Sequence, residues 1–85
     1  MNTEQAEAVF AEELRRIAPD VDASEINRDG DLREEFDIDS MDFLNLVTAL
    51  NVRLGIPIPE PDYRRFATYA SSIAYIAEKA TRPDS

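Results

Sequence analysis

A serine lies at the start of a predicted helix in the segment Phe36-Asp37-Ile38-Asp39-Ser40-Met41-Asp42-Phe43-Leu44. From there, apolar residues recur at the spacing of one helical face, which predicts a helix that begins at Asp39 or Ser40 and ends at Leu54, before Gly55. Asp39 and Ser40 are both candidates for the N-cap, and Asp42 suits the first turn, where the helix dipole favours an acid. The core face of this helix is predicted to contain Phe43, Leu46, Val47, Leu50 and Leu54.

A second apolar stripe accompanies this core face. Met41 and Leu44, aligned with Thr48, project from a neighbouring face of the same helix. We expect this stripe to be exposed.

Two further long helices are predicted on either side. The first runs from about Thr3 to Ala18, with Asn2 and Thr3 as possible caps, and Pro19 ends it. The last runs from Tyr69 to about Ala80 with Thr68 as its cap, and Pro83 marks its frayed end. Its predicted apolar face consists of Ala70, Ile73, Ala74, Ile76, Ala77 and Ala80.

The connections between these helices differ in character. Pro19 to Asp37 is a long acidic loop whose isolated apolar residues, Val21, Ile26, Leu32 and Phe36, predict anchoring to the core and some turn structure. Ile56 to Pro61 contains three prolines and is predicted to be an extended connector. Pro61 then suits the first position of a short helix from Asp62 to about Phe66.

These elements predict an all-α fold: a small four-helix bundle, with three principal helices, a short third helix, and a long loop between helices 1 and 2. The 85 residues leave room for one core, so residues 1–85 are predicted to form a single domain.

Composition excludes most enzyme mechanisms. The chain has no Cys and no His, which removes thiolate nucleophiles, disulfides, the usual zinc ligands and the imidazole that activates a catalytic serine. No catalytic residues are predicted, and the chain is not expected to be an enzyme.

A net charge of −9, with 14 of the 18 acids in residues 1–42, disfavours nucleic-acid binding and favours basic partners. No stretch is long and apolar enough to predict membrane insertion, and the N-terminal residues lack a signal-peptide pattern, so we expect a cytoplasmic protein.

The acidic loop offers two weaker motifs. Asn27 to Leu32 resembles a calcium loop, but with Gly30 in sixth position the bidentate twelfth ligand would be Phe36, so no metal site is predicted. Asp37 and Asp39 could suggest a general acid/base pair, yet nothing supplies the apolar cleft that such chemistry needs.

Ser40 has two possible roles when the residues alone are considered. An Asp-Ser pair is usually only a helix cap. However, a hydroxyl at a helix N-terminus is also well placed to carry a phosphodiester, because free backbone N–H groups and the helix dipole stabilise its negative charge.

Several segments with this spacing resemble the acyl carrier protein family, in which the serine of an Asp-Ser-Leu-type motif carries 4'-phosphopantetheine. Leu32 to Met41 is similar to the family's loop into that serine, and Ile56 to Glu60 to its Ile-x-Ile-Pro connector. Phe66 to Thr68 is similar to its turn into the last helix, and Ile73 to Ile76 to its closing run. The resemblance covers nearly the whole chain.

The resemblance implies a non-catalytic carrier. Ser40 would be the site at which 4'-phosphopantetheine from coenzyme A attaches, and its thiol would hold acyl groups as thioesters. The implied partners are a phosphopantetheinyl transferase and acyl-loading and acyl-processing enzymes with basic docking surfaces. Met41 and Leu44 are the predicted contact residues, with Asp39 and Asp42 steering the approach. We expect a monomer.

Three departures from the family pattern bear on the pathway. Asp37 replaces the usual glycine two residues before the motif's aspartate, and Met41 replaces leucine after the serine. The partner face, acidic in housekeeping fatty-acid carriers, here has Asn45, Asn51, Val52 and Arg53. These residues favour a specialised lipid or secondary-metabolite pathway.

Alternatives remain open at this point. The cargo could be peptidyl, aminoacyl or aryl, or the chain could be an unmodified acidic interaction module. A core of Phe10, Leu46, Val47, Leu50, Ile73 and Ile76 could open to shelter an acyl chain or be an ordinary filled core.

Overall fold

The computed structural model describes residues 1–80, which contain four α-helices: α1 (Thr3–Ile17), α2 (Leu32–Glu35), α3 (Ser40–Leu54) and α4 (Tyr69–Lys79). Two 3₁₀ helices lie at Ala23–Glu25 and Glu60–Phe66. Helix α1 packs against both α3 and α4, and the 3₁₀ helix Glu60–Phe66 packs against α4. The predicted small four-helix bundle is confirmed, with α1, α3 and α4 as its principal helices.

The helix ends follow the predicted capping residues. Asn2 caps α1 in a capping box with Gln5, and Thr68 caps α4 in a second box with Ser71. Such reciprocal hydrogen bonds satisfy N–H groups that have no partner within the helix. Gly55 ends α3 in the left-handed conformation (φ 66°), where a residue without Cβ avoids strain.

One core joins all of these elements. It includes the six residues predicted for it, Phe10, Leu46, Val47, Leu50, Ile73 and Ile76, all at most 2% exposed. It also contains two tyrosines that the helical periodicity did not indicate, Tyr69 and Tyr75. Their hydroxyls reach the core's edge, where Tyr69 donates a hydrogen bond to Glu7 (3.2 Å) and Tyr75 to Asp62 (2.7 Å). Each ring is therefore buried without leaving its hydroxyl unpaired.

The long loop is anchored as predicted. Leu32 and Phe36 are buried, and Val21 and Ile26 pack on the core's edge. The loop is also tied to the start of α4, because the Leu32 N–H donates to the Ala67 carbonyl (2.8 Å). These contacts hold the segment that precedes α3.

Helix α4 ends at Lys79, within one residue of the predicted end at about Ala80. Two other predicted details in the C-terminal half were wrong. The short helix begins at Glu60 rather than Asp62 and is a 3₁₀ helix. Pro61 does not delay its start, because a first-turn residue needs no N–H. Ala74 is exposed, because the buried Tyr75 turns the core face of α4 away from it. Pro83, predicted to mark the frayed end, lies outside the described residues.

Candidate functional site at the start of α3

Two consecutive motifs position Ser40. Helix α2 ends in a Schellman motif, in which the Ile38 N–H donates to the Arg33 carbonyl (3.0 Å) and the Asp37 N–H to the Glu34 carbonyl (3.3 Å). Ile38 is buried, which fixes the chain direction into α3. Asp39 follows as the N-cap, and its carboxylate accepts the Asp42 N–H at 2.8 Å.

Ser40 is the first residue of α3, not its cap, so one of the two predicted cap candidates was wrong. Asp39 takes the capping role because its backbone is extended and its carboxylate reaches the third N–H of the helix. Ser40 is exposed, and no hydrogen bond within residues 1–80 involves its hydroxyl. The hydroxyl is therefore accessible to a modifying enzyme.

Asp37, which replaces the family's usual glycine, has a backbone conformation that glycine favours. Asp37 has φ 53°, and it is the one non-glycine residue with positive φ among residues 1–80. The Schellman motif needs the left-handed conformation at this position, which glycine adopts without strain and Asp adopts at a small cost. The bend before Ser40 is thus kept although the glycine is lost.

The acids around Ser40 are exposed or half-buried. Asp37 and Asp39 are exposed, and Asp42 is half-buried in the first turn of α3. Within residues 1–80, no group of three or more Asp, Glu, His or Cys side chains is placed to hold a metal ion. Instead, the Asn27 side chain accepts the Asp29 N–H (3.0 Å), and Glu35 accepts the Asn27 N–H (2.8 Å), so this loop satisfies its own polar groups.

The predicted exposed stripe is confirmed. Met41 is 68% exposed and Leu44 48% exposed, and Thr48 is exposed beside them. The stripe continues further than predicted, because Val52 is 75% exposed one turn beyond Thr48. Val52 follows Thr48 by four residues, so helical spacing places it on the same stripe. We call Met41, Leu44, Asn45, Thr48 and Val52 the outer stripe of α3.

Arg53 and Asn51, expected to face a partner, are held by the chain itself. The Arg53 guanidinium pairs with Glu12 and with the buried Glu13 of α1, at 2.8 Å from the latter. The hydrogen bonds that Arg53 donates to the carboxylates of Glu13 and Glu12 raise the pKa of Arg53. The Asn51 amide donates to the Ile56 carbonyl. Two carboxylates therefore offset the positive charge that Arg53 would present to a basic docking surface.

A cleft of about 680 Å³ lies on the side of α3 next to the proline connector. Val47, Ile56, Ile58 and Tyr75 line it with apolar surface, and Tyr63 and Lys79 are among its remaining lining residues. Because Val47 belongs to the core, this cleft is where an apolar group could approach the interior. The buried residues themselves form a continuous cluster.

A second polar network lies between α1 and the long loop. Arg28 pairs with Glu7 (2.9 Å) and lies over the Tyr69 ring, 5.0 Å from its centroid. The hydrogen bond from Arg28 lowers the pKa of Glu7. Burial, together with the nearby Glu7 charge, raises the pKa of Tyr69 to about 12. These contacts attach the loop to α1.

Comparison with known proteins agrees with this geometry. The chain matches the family model described as a phosphopantetheine attachment site over residues 5–76. It is 33% identical to an acyl carrier protein of Helicobacter hepaticus, over 86% of this chain and 90% of that protein. The chain belongs to the acyl carrier protein family. It is also 30% identical to an acyl carrier protein of Rubrobacter xylanophilus, over 72% of this chain and 75% of that protein. With acyl carrier protein 2 of Pseudomonas aeruginosa it shares 33% identity, over 68% of this chain and 73% of that protein.

Membership in this family means that the domain is a carrier and not an enzyme, and that its cofactor is covalently attached 4'-phosphopantetheine. The family's partners are phosphopantetheinyl transferases and acyl-processing enzymes. Within residues 1–80, no helix is long and apolar enough to cross a membrane.

The residues at the start of α3 fit this group. A phosphodiester needs an accessible hydroxyl and nearby hydrogen-bond donors, and Ser40 would provide the hydroxyl at the N-terminus of a 15-residue helix. The Asp39 carboxylate occupies the Asp42 N–H, whereas the N–H groups of Ser40 and Met41 have no partner within the helix.

Proposed function

We propose that this protein carries acyl intermediates as thioesters on a phosphopantetheine arm attached to Ser40. The observation that supports this most strongly is the free, exposed Ser40 hydroxyl at the first position of α3, directly after the Asp39 cap. The attached group supplies a thiol to a chain that has no cysteine. The protein's own contribution is to hold that arm at one end of a rigid helix.

The hydroxyl groups of Ser24, Ser71 and Ser72 differ from that of Ser40, and the difference supports Ser40 as the attachment site. Ser72 is buried, and its hydroxyl donates to the Thr68 carbonyl (2.7 Å). The Ser71 hydroxyl belongs to the capping box of α4. Ser24 is exposed, but its hydroxyl donates to Asp22 (2.7 Å) in a turn of three residues. None of the three combines a free hydroxyl with the start of a long helix.

The test is intact-mass analysis after incubation with coenzyme A, Mg²⁺ and a promiscuous phosphopantetheinyl transferase. We expect one phosphopantetheinyl group per chain, and none on Ser40→Ala. Because Asp39 is the cap, this variant should keep its stability within about 0.5 kcal/mol. Ser24→Ala is the matched control and should be modified fully. Modification at another serine, Ser85 included, would contradict the assignment, and no modification at all would favour an unmodified interaction module.

We further propose that Met41 and Leu44 contact the enzymes that load and unload the arm, and that Asp39 and Asp42 steer their approach. The proposal is supported by the exposure of both apolar side chains within about one turn of Ser40. Exposed carboxylates mainly raise the rate of encounter with a basic surface, and do so without tight binding. A carrier that visits several enzymes needs such brief contacts.

The pathway is proposed to be specialised rather than bulk fatty-acid synthesis. Asn45 and Val52 are exposed and neutral at positions that are acidic in the housekeeping carriers. A housekeeping ketosynthase should therefore condense the malonyl-loaded protein slowly. A variant with Asn45→Glu and Val52→Glu should recover turnover; Arg53 and Asn51 are left unchanged because both hold the fold. Turnover of the natural sequence at the housekeeping carrier's rate would refute a specialised pathway.

A further inference from the structure

Backbone hydrogen bonds join the long loop to the start of α4. The Leu32 N–H donates to the carbonyl that precedes Thr68 (2.8 Å), and the Ala70 N–H donates to the Arg28 carbonyl (3.1 Å). Between these two bonds, Asp31 and Thr68 form an isolated antiparallel bridge. Ala70 lies in the first turn of α4, where N–H groups have no partner within the helix, so the Arg28 carbonyl helps to cap α4.

The Arg28 side chain fastens the same part of the loop to α1 and α4. Its guanidinium donates two hydrogen bonds to the Glu7 carboxylate, at 2.9 and 3.4 Å, and lies 5.0 Å from the centroid of the Tyr69 ring. The Tyr69 hydroxyl donates to the same carboxylate (3.2 Å). We call Glu7, Arg28 and Tyr69 the clamp. The two charged side chains are 50% and 37% exposed, so their pairing contributes only modestly to the stability of the whole domain.

Tyr69 connects the clamp to the bend before Ser40. The Phe36 ring stacks on the Tyr69 ring, with 6.0 Å between the centroids and 22° between the planes. Phe36 is buried and is the C-cap of α2, four residues before Ser40. The Arg28 guanidinium and the Phe36 ring therefore contact the same buried tyrosine, one from each half of the loop.

The bend in turn holds the first turn of α3. Asp39 caps that turn through the Asp42 N–H, and the buried Ile38 fixes the position of Asp39. A terminal turn frays when its cap is lost, because its N–H groups have no partner within the helix. Ser40 lies in this turn, so a loop released from α4 would leave the Ser40 hydroxyl without a fixed position.

We propose that Arg28 is a positioning residue for Ser40. With Glu7 it holds the loop on Tyr69, and through Phe36 it keeps the first turn of α3 in the conformation that a phosphopantetheinyl transferase binds. The inference rests on the proposed attachment at Ser40 and adds a residue that acts on it through the fold. Opening of the loop lowers the fraction of protein that the transferase can bind, which raises the apparent KM and leaves kcat unchanged.

The test is Arg28→Gln, measured by amide hydrogen exchange and by transferase kinetics with coenzyme A and Mg²⁺. Exchange at the Ile38 and Asp42 amides, which belong to the bend and the capped turn, reports local opening. It should become about fivefold faster, as expected for the loss of one exposed ion pair and one exposed cation–π contact. KM for the carrier should rise by at most the same factor, with kcat unchanged. Arg28→Lys, which keeps the charge, should restore most of the natural exchange rate and KM.

Arg65→Gln is the matched control. The Arg65 guanidinium pairs with Glu78 (3.2 Å) and lies 5.0 Å from the centroid of the buried Tyr75 ring, so it makes the same kinds of contact between the 3₁₀ helix Glu60–Phe66 and α4. Its replacement should lower the urea midpoint about as much as Arg28→Gln does. It should nevertheless leave both the amide exchange at the bend and the transferase KM unchanged.

Three results would overturn the inference. Unchanged exchange at Ile38 and Asp42 in Arg28→Gln would mean that the clamp does not reach the bend. A constant KM would mean that the transferase does not depend on it, and an equal rise of KM in Arg65→Gln would show a loss of overall stability alone. Failure of the proposed function is distinguishable, since the natural sequence would then take up no phosphopantetheine while the differences in exchange remained.

Discussion

Replacing Asp37 with glycine should stabilise this protein, although the substitution removes a side chain and a charge. Asp37 follows the C-cap of α2 with φ 53°. The left-handed conformation costs an L-residue about 1–2 kcal/mol, and Asp is at the low end because its short polar side chain tolerates it. Glycine removes this cost. However, its greater conformational freedom stabilises the unfolded chain, which lowers the free energy of unfolding by about 0.4–1 kcal/mol. The net expectation is a gain of about 0.5 kcal/mol.

Urea unfolding followed by circular dichroism measures this difference as a shift of the midpoint at unchanged m-value. Asp37→Ala should lower the midpoint, with a loss of about 0.5–1 kcal/mol in the free energy of unfolding, because alanine keeps the backbone strain without the adaptable side chain. Gly55→Ala provides a matched control for the conformational cost alone. Gly55 has φ 66°, and an added Cβ would meet nothing within 4 Å, so the expected loss of about 1–2 kcal/mol comes from the backbone.

Two results would refute the reasoning. If Asp37→Gly and Asp37→Ala lowered stability equally, the Asp37 side chain would matter and the backbone conformation would not. If Gly55→Ala had no effect while Asp37→Gly was stabilising, the gain would have to come from removing a negative charge. Asp37→Asn, which keeps the side chain's shape and removes the charge, separates that electrostatic contribution. Ser40 modification should proceed at the same rate in all these variants.

Three further predictions follow from the same contacts. Met41→Glu or Leu44→Glu should slow acyl transfer while leaving the melting temperature unchanged. Leu46→Ala is the buried control and should lower the free energy of unfolding by about 2–5 kcal/mol, measured by urea unfolding. If the Glu variants lowered the melting temperature as much as Leu46→Ala does, Met41 and Leu44 would belong to the core. Arg53→Gln should lower the urea midpoint because it leaves the buried Glu13 without its ion-pair partner, whereas the exposed Arg16→Gln should leave the midpoint nearly unchanged. Stability should fall as the pH rises from 10 through about 12, because burial favours the neutral forms of Tyr69 and Tyr75 and raises the pKa of each to about 12. If a variant with both tyrosines replaced by Phe does not show this fall, the two hydroxyls are its cause.

Local patterns predicted most of the secondary structure because its signals are short-range. Asn2, Thr68 and Gly55 act through hydrogen bonds or dihedral angles within a few residues, so the ends of α1, α3 and α4 could be predicted within one residue or two. The period of α3 likewise predicted its buried face and the exposure of Met41 and Leu44. Ser40 and its acidic neighbours could be proposed as a site from the same segment.

Other features depend on what packs against each helix, and local periodicity does not contain that information. Arg53 is an exposed-face residue by spacing, yet its guanidinium is held by Glu12 and Glu13, about forty residues away in the chain. Tyr75 is buried and Ala74 exposed because the bundle accepts a large ring whose hydroxyl can reach Asp62. The helices, their caps and the place of Ser40 follow from the sequence, since neighbouring residues set them. The charges that stay unpaired at the surface depend on the packed fold, because ion pairs between helices form only once the helices are packed.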